Sequence, residues 1–258
     1  MIIHDQTKTA GLPCTVQAPP SGAGTAPALA AEHHMEVLLN ARPAMRLVCT
    51  PEHLDELVLG RLFTEGLIES AEEVLGLRIC AKGLQAEVLL QEAASARLRE
   101  QETEAVPSCC TDNKLLLTRA RGTPKKLSPI PWREDQIRAL AAHVLQEAPL
   151  YRVTQAVHSC ALAAGDELLC LREDLGRHNA LDKAVGFALL QGLDLSRCTL
   201  FTTGRLPTDM VSKAIRAGIP LVVSKTYPTG EAMAMAREAG LTLVTLRGDG
   251  ALTVWTEG

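Results

Sequence analysis

Residues 199–246, TLFTTGRLPTDMVSKAIRAGIPLVVSKTYPTGEAMAMAREAGLTLVTL, alternate three apolar runs with two segments of helical spacing. The runs predict strands at Thr199–Thr203, Pro220–Ser224 and Leu241–Leu246, and the intervening segments predict helices at Asp209–Ala217 and Gly230–Ala239. Strands that are joined by helices pair in parallel through right-handed crossovers. This stretch therefore predicts an α/β fold around a parallel sheet.

The same pattern extends in both directions from this stretch. The further predicted elements are a helix at Trp132–Gln146, a hairpin of Val157–Ala163 with Glu167–Arg172, a helix at Leu181–Gln191 and a last strand at Leu252–Trp255. The hairpin adds one antiparallel edge to the parallel strands. We therefore expect residues 131–258 to form one α/β domain with a mixed, mainly parallel sheet.

The first half of the chain predicts a smaller α+β domain at residues 29–105. Strands at Met35–Leu39 and Ala44–Cys49 flank a turn, and a helix that opens at Thr50 follows them. That helix has an apolar stripe at helical spacing, formed by Leu54, Leu57, Val58 and Leu62. Residues 1–28, rich in Pro, Gly and Ala, are expected to be a flexible tail, and the polar residues 106–130 a mobile loop.

The composition restricts the classes of protein to which the chain can belong. It has 258 residues, 47% of them hydrophobic, and a formal net charge of −4. It shows no basic patch with interleaved aromatic residues, which argues against a nucleic-acid partner, and no apolar run of about 20 residues, which argues against a membrane span. The start of the chain lacks the pattern of a secretory signal, so a reducing cytoplasm is expected, where the eight cysteines would be free thiols.

Three of the predicted strands are each followed by a loop of glycines, hydroxyls and basic side chains. The loops contain Thr203, Gly204 and Arg205 in the first, Ser224 in the second, and Arg247 to Gly250 in the third. Because the carboxyl ends of parallel strands meet at one edge, these loops predict a site for a nucleotide or a phosphorylated ligand. The alternative is that turns are rich in these residue types without any ligand.

The segment Arg172–Gly186, REDLGRHNALDKAVG, packs charged and hydrogen-bonding residues into a short stretch before an apolar helical run. It predicts either a site for an anionic ligand or a solvated corner between hairpin and helix. Gly176 would allow a tight turn, and Asn179 is a candidate N-cap. His178, inside this segment, is a candidate either for ligand contact or for orientation of Asp174.

Two adjacent cysteines, Cys109 and Cys110, lie in the polar sequence VPSCCTDNK. Buried cysteines usually lie in apolar elements, so this setting favours exposed and reactive thiols over ordinary core residues. The cysteines that fall in or next to apolar strands are interpreted as structural: Cys49, Cys80, Cys160, Cys170 and Cys198. His158 opens a strand and is likewise interpreted as structural.

Several motifs, in the same order along the chain, resemble the FdhD family of formate dehydrogenase accessory sulfurtransferases. They are TEGLI at Thr64–Ile68, REDLGRHNALDK at Arg172–Lys183, TTGRLPTDMVSKAIRAGIP at Thr202–Pro220 and PTGEAMAMAREAGLTLV at Pro228–Val244. The resemblance runs from about Ala30 to Trp255. It implies a cytidine-deaminase-like fold for the larger domain and a homodimer.

The resemblance also implies a function. Proteins of this family take sulfur from a cysteine desulfurase as a persulfide and pass it to the molybdenum cofactor in its bis(molybdopterin guanine dinucleotide) form, which a formate dehydrogenase requires. The persulfide cysteine carries over to Cys109, whereas the second cysteine of the family's C-x-x-C motif falls on Asp112, so Cys110 is a possible substitute. The cofactor-contact segment carries over to six residues: Leu246, Arg247, Gly248, Asp249, Gly250 and Ala251.

The sequence is also compatible with a second function and can be compared with the residues that a third requires. The second is a cofactor-binding chaperone for formate dehydrogenase that performs no sulfur chemistry, which the altered C-x-x-C motif allows. The third, suggested by the fold, is a zinc-dependent deaminase. That chemistry needs a His/Cys-x-Glu element and a Pro-Cys-x-x-Cys element, and the sequence contains neither.

Overall fold

The computed structural model describes residues 1–5, 16–17, 28–105, 114–119 and 126–258. The helices of these ranges are α1 (Leu54–Thr64), α2 (Glu92–Ala96), α3 (Glu134–Glu147), α4 (Pro149–Thr154), α5 (Arg177–Gln191), α6 (Thr208–Ala217) and α7 (Gly230–Ala239), with short 3-10 helices at Ala71–Glu73 and Leu195–Arg197. The strands are β1 (Ile2–Asp5), β2 (Val16–Gln17), β3 (Leu29–Ala30), β4 (His33–Leu39), β5 (Arg42–Cys49), β6 (Val74–Ile79), β7 (Gln85–Leu90), β8 (Leu98–Ala105), β9 (Lys114–Arg119), β10 (His158–Ala164), β11 (Glu167–Asp174), β12 (Thr199–Thr202), β13 (Leu221–Ser224), β14 (Thr242–Leu246) and β15 (Leu252–Thr256). Within these ranges, every helix is too short or too polar to cross a membrane.

The first lobe is a seven-stranded sheet in the order β1-β6-β7-β4-β5-β9-β8, with α1 packed on it. The β4–β5 hairpin turns at Asn40 and Ala41, whose φ angles of 47° and 64° match the right-handed twist of the flanking strands. The predicted helix and its stripe are confirmed, and all four apolar residues are buried in the core of this lobe, but the helix begins at Leu54 and not at Thr50.

The second lobe is a six-stranded sheet in the order β11-β10-β12-β13-β14-β15. The sheet is mixed, as expected, but it is not mainly parallel: β12–β13 and β13–β14 are parallel, whereas β10–β11, β10–β12 and β14–β15 are antiparallel. The crossover through α5 carries the chain past β10, so β11 and β12 are not neighbours. After β14 the chain turns back through Gly250, at φ 84°, into β15 without an intervening helix.

The predictions of a flexible tail and of a mobile loop were both wrong in part. The tail predicted for residues 1–28 contains β1, which pairs in parallel with β6, and β2, which pairs with β3. The loop predicted for residues 106–130 contains β9, which pairs with both β5 and β8. β1 and β9 each have a partner far away in sequence, β6 and β5, whereas β2 and β9 also pair with the nearby strands β3 and β8.

Helices α1 and α5 bring the two lobes into close contact. A Cβ atom built on Gly60 would lie 1.8 Å from the carbonyl oxygen of Asp182, and one built on Gly186 would lie 1.9 Å from that of Glu56. Each helix thus presents a glycine where the backbone of the other passes. The lobes share a tight helix–helix interface, and the polar segment that begins at Arg172 runs directly into it.

Candidate functional site

Three loops of the second lobe meet at one edge of its sheet, as the sequence predicted. We call this edge the rim and define it as residues 202–206, 224–229 and 247–251. The backbone N–H of Thr229 donates to the carbonyl of Leu206 at 3.2 Å and joins the first two loops. Arg247 Nη1 donates to the phenol oxygen of Tyr227 at 3.0 Å and joins the second loop to the third. The rim is therefore one connected surface.

Gly204 is the centre of the first loop. Its carbonyl accepts hydrogen bonds from the hydroxyls of Ser224 at 2.9 Å and Thr226 at 3.2 Å, and its N–H donates to Thr202 Oγ1 at 3.1 Å. A Cβ atom here would lie 2.7 Å from Cβ of Arg177, so the packing favours glycine. Ser224 is fully buried and fixes the loops to each other, so in this conformation it shapes the rim and does not line it.

The outward side of the rim carries positive charge. Arg205 is exposed, and Lys225 is half-buried with its ammonium 5.7 Å from the ring centroid of Tyr151. Arg247 has half of its side chain exposed. Thr203 lies at the inner border, where its hydroxyl accepts the N–H of Ser159 at 2.9 Å. Three cations beside loop backbone are suited to an anionic ligand.

The third loop is a tight hairpin turn held by its own hydrogen bonds. The N–H of Arg247 donates to the carbonyl of Ala251 at 2.9 Å, and the N–H of Ala251 donates to Asp249 Oδ1 at 3.1 Å. Leu246 is buried at the end of its strand, whereas the five residues from Arg247 to Ala251 are exposed. The hydrogen bond to Tyr227 and the charge of Asp249 raise the pKa of the Arg247 guanidinium.

The polar segment from Arg172 neither lines the rim nor forms a solvated corner; much of it is buried between the lobes. Lys183 Nζ lies 2.6 Å from Asp174 Oδ2 and donates to Thr50 Oγ1 at 2.7 Å. Asp174 also accepts the N–H of Thr50 at 3.0 Å and the amide of Asn179 at 2.9 Å. A buried charge is costly unless it is paired and hydrogen-bonded. Here the pairing and the hydrogen bonds of Asp174 and Lys183 come from both lobes at once.

A second buried cluster surrounds Asp182. Its carboxylate accepts from Thr64 at 2.6 Å, Lys213 at 2.9 Å and Arg61 at 3.3 Å. Burial on its own raises the pKa of the neighbouring Glu65 carboxyl, but the charges of Lys213 and Arg61 outweigh it and lower that pKa to about 2. Sequence reasoning missed this cluster, although charged residues inside apolar helices were a signal for it.

The segment's helix begins earlier than expected. It starts at Arg177 with Gly176 as its N-cap, so the N-cap prediction for Asn179 was wrong. Asn179 instead lies in the first turn and donates to the carbonyl of Val48 at 2.8 Å, across the lobe interface. The Asn179 side chain thus forms a hydrogen bond to the other lobe instead of capping the helix.

His178 lies behind the rim. Its side chain is 1% exposed, and its Nε2 atom lies 2.9 Å from Oδ2 of Asp209 in the first turn of α6, the helix that follows the Gly204 loop. The orientation of Asp174, one of its two predicted roles, falls instead to Lys183, Thr50 and Asn179. The side chain is too buried in this conformation to touch a ligand on the rim.

His158 lies at the amino end of β10, beside the rim, and is half-buried. Burial lowers the pKa of its imidazole, and the positive charges of Arg177, His178 and Arg205 lower it further. The imidazole is therefore neutral at neutral pH. Neither His158 nor Tyr227 was predicted from the sequence to contribute to the site.

The cysteines that the structure describes fit the structural role predicted for them. Cys49, Cys160, Cys170 and Cys198 are buried, and Cys80 is half-buried. Burial raises the pKa of the Cys49 thiol, and raises the pKa of Cys160 to about 12 and of Cys170 and Cys198 to about 11. Cys109, Cys110 and Asp112 lie outside the described residues.

The fold and the rim define a mixed α/β protein whose candidate ligand-binding edge lies at the carboxyl ends of parallel strands. Residues 30–258 match the model of the FdhD/NarQ family, and the chain belongs to that family.

Curated relatives and a solved structure agree with this assignment. The sulfur carrier protein FdhD of Bacillus subtilis (strain 168) is 31% identical over 227 residues, which cover 87% of each chain. The protein of the same name from Shouchella clausii (strain KSM-K16) is 32% identical, over 88% of this chain and 87% of the relative. The crystal structure of a proposed formate dehydrogenase accessory protein from Desulfotalea psychrophila superposes with a TM-score of 0.72 at 28% identity, covering 93% of this chain and 94% of that one.

Proposed function

We propose that this chain is a sulfur carrier for formate dehydrogenase maturation. It accepts persulfide sulfur from a cysteine desulfurase on Cys109 and passes it to the bis(molybdopterin guanine dinucleotide) molybdenum cofactor, its substrate, on the rim. Membership of the family supports this role, as do relatives named sulfur carrier proteins and a structural neighbour named for formate dehydrogenase. The proposal places the chain in the cytoplasm as a homodimer.

The observation that carries the proposal is the rim itself. A guanine dinucleotide is an extended polyanion with two bases, so its binding site needs cations and closely approached backbone. The rim supplies Arg205, Lys225 and Arg247 on three connected loops, and the exposed glycines Gly248 and Gly250 lie beside Arg247 in the third loop. These residues fit such a ligand.

The proposed sulfur chemistry is a transfer between thiols. The Cys109 thiolate attacks the terminal sulfur of the desulfurase persulfide, one S–S bond forms as another breaks, and the desulfurase cysteine leaves as a thiolate. The raised pKa values of Cys160, Cys170 and Cys198 disfavour the thiolate at those positions. Among the chain's thiols, Cys109 and Cys110 have the polar sequence context that this step requires.

The direct test loads the full chain with sulfur from a cysteine desulfurase and cysteine, then locates the added sulfur by mass spectrometry of peptides. The expected result is one extra sulfur on the peptide that contains Cys109. Cys109→Ala should abolish loading, and Cys160→Ala, at a buried thiol, serves as the matched control that keeps it. Loading that survives Cys109→Ala would overturn the site assignment, and comparison with Cys110→Ala shows whether the adjacent thiol takes part.

The alternative, a chaperone that only binds the cofactor, predicts a different pattern in a maturation assay. If sulfur transfer is required, formate dehydrogenase activity should be lost with Cys109→Ala and with Arg205→Ala. If the chain only holds the cofactor, Cys109→Ala should leave that activity intact while Arg205→Ala still removes it. The two variants together therefore separate the two functions.

A further inference from the structure

Lys225, the cation of the second rim loop, lies against an aromatic ring that comes from outside the rim. Its ammonium is 5.7 Å from the ring centroid of Tyr151, and both side chains are half-buried. Tyr151 belongs to α4, the short helix Pro149–Thr154 that precedes β10. A lysine ammonium within about 6 Å of a ring centroid is attracted to the face of the ring. The Tyr151 ring therefore restricts the positions open to the flexible Lys225 side chain.

A buried carboxylate holds α4 in place. Glu173, near the end of β11, is 6% exposed. Its Oε1 atom accepts the backbone N–H of Tyr151 at 2.8 Å, and its Oε2 atom accepts that of Leu150 at 2.8 Å. The hydroxyl of Ser159 also donates to Oε1, at 3.3 Å. Because both oxygens accept backbone N–H groups, an uncharged amide at this position could accept only one of the two.

Glu173 is also joined to the lobe interface and to the first rim loop. Its backbone carbonyl accepts the hydroxyl of Thr50, in the first lobe, at 3.3 Å and the ammonium of Lys183 at 3.2 Å. Ser159, which donates to the carboxylate, uses its backbone N–H to donate to the hydroxyl of Thr203 at 2.9 Å. The carboxylate that holds α4 is therefore itself held in a well-packed part of the protein.

We propose that Tyr151 and Glu173 are positioning residues for the anionic ligand of the rim. Tyr151 orients the ammonium of Lys225, and Glu173 holds the backbone of Tyr151 against the rim. This inference rests on the proposed function, in which the rim binds an anionic ligand. A lysine that is already ordered loses less side-chain entropy when it binds an anion, so the ring strengthens binding through the lysine.

A double-mutant cycle with GDP as the probe tests the role of Tyr151. GDP contains the guanosine and the two phosphates of one nucleotide end of the proposed ligand. In isothermal titration of the full chain, Tyr151→Leu should weaken GDP binding by about 2- to 5-fold, the worth of one partly exposed contact between a cation and a ring. Tyr151→Phe keeps the ring and should bind like the wild type. In a Lys225→Ala background, Tyr151→Leu should cause no further loss, since the ring acts through the lysine.

The role of Glu173 has its own variant and control. Glu173→Gln leaves one backbone N–H of α4 without an acceptor and should weaken GDP binding by a similar factor, again only while Lys225 is present. Glu167→Gln, the same change at the exposed start of the same strand, should leave the affinity unchanged. If the Glu173→Gln protein does not fold, the cycle at Tyr151 decides the proposal.

Two results would overturn the positioning role. One is equal GDP affinity in Tyr151→Leu and the wild type, and the other is the same loss with and without Lys225, which would mean that the ring has only a structural role. In either case, weaker GDP binding to Lys225→Ala would show that the rim of the proposed function stands. If the wild-type protein does not bind GDP at millimolar concentration, the rim and the positioning role both fail.

Discussion

At the scale of single residues, His178 links the buried interior to the rim. Its imidazole contacts Asp209, and the neighbouring Arg177 fills the space against which Gly204 packs. The first turn of α5 therefore contacts both ends of the loop between β12 and α6, on the side of the loop that faces the protein interior. His178 is in this sense a positioning residue, which acts on a ligand through the loop.

Changing His178 should accordingly alter ligand binding more than it alters folding. His178→Ala removes the contact with Asp209, frees the Gly204 loop and should weaken GDP binding by about 10-fold, which corresponds to a loss of about 1.4 kcal/mol. His178→Gln places an amide nitrogen near the position of Nε2 and should recover most of that affinity. Titration of GDP, with the melting temperature of each variant measured alongside, checks both statements. Equal GDP affinity in His178→Ala and the wild type would show that the loop does not need this contact.

The sequence showed that the segment around His178 is unusual but not what it does. Dense charge before an apolar helix is as compatible with a ligand site as with a buried network, because the outcome depends on partners elsewhere. Those partners are distant: Thr50 lies 124 positions from Asp174, and Arg61 lies 121 positions from Asp182. The three-loop rim was predictable because strand polarity alone places the loops on one edge.

At the scale of elements, the α1–α5 crossing is the tightest feature of the fold. Gly60→Ala would place a methyl group 1.8 Å from the carbonyl oxygen of Asp182, and backbone atoms cannot move aside as a flexible side chain can. The helices must separate, and the polar clusters that span them must stretch. Overpacking of this kind costs about 3 kcal/mol, which corresponds to a loss of roughly 6–12 °C in melting temperature for a chain of this size.

Differential scanning calorimetry measures that loss, and a matched glycine provides the control. Gly230 is the first residue of α7, and a Cβ built on it meets nothing within 4 Å. Gly230→Ala should therefore leave the melting temperature unchanged or raise it slightly, since alanine favours helix. A Gly60→Ala protein as stable as Gly230→Ala would show that the helices are not in close contact.

The elements that sequence reasoning found and missed differ in what stabilises them. Helix α7 was predicted with its observed bounds, and the α1 stripe was confirmed, because periodic burial leaves a local pattern. Strand β1 was missed because it has four residues and pairs with β6 far along the chain, and β9 was missed because one of its two partners, β5, is also distant in sequence. Such pairing leaves no local pattern, so edge strands and tails look alike in sequence.

At the scale of the whole molecule, the buried clusters determine whether the two lobes are independent. Residues 29–105 and 131–258 were expected to be separate domains, but Lys183 and Asp174 of the second lobe share their hydrogen bonds with Thr50 of the first. If one lobe unfolded alone, it would leave a buried ion pair short of partners. We therefore expect the lobes to unfold together.

Two probes that report on different parts of the chain can show whether they do. Both tryptophans, Trp132 and Trp255, lie in the second lobe, whereas far-ultraviolet circular dichroism reports on both sheets. In a urea titration the two signals should give one midpoint, the standard test of a single cooperative transition. Lys183→Met leaves the buried Asp174 carboxylate without its cation and should cost about 3–5 kcal/mol, which lowers that common midpoint. The exposed Lys82→Met should not shift it, and a wild-type protein with two separate midpoints would mean that the lobes fold as independent domains.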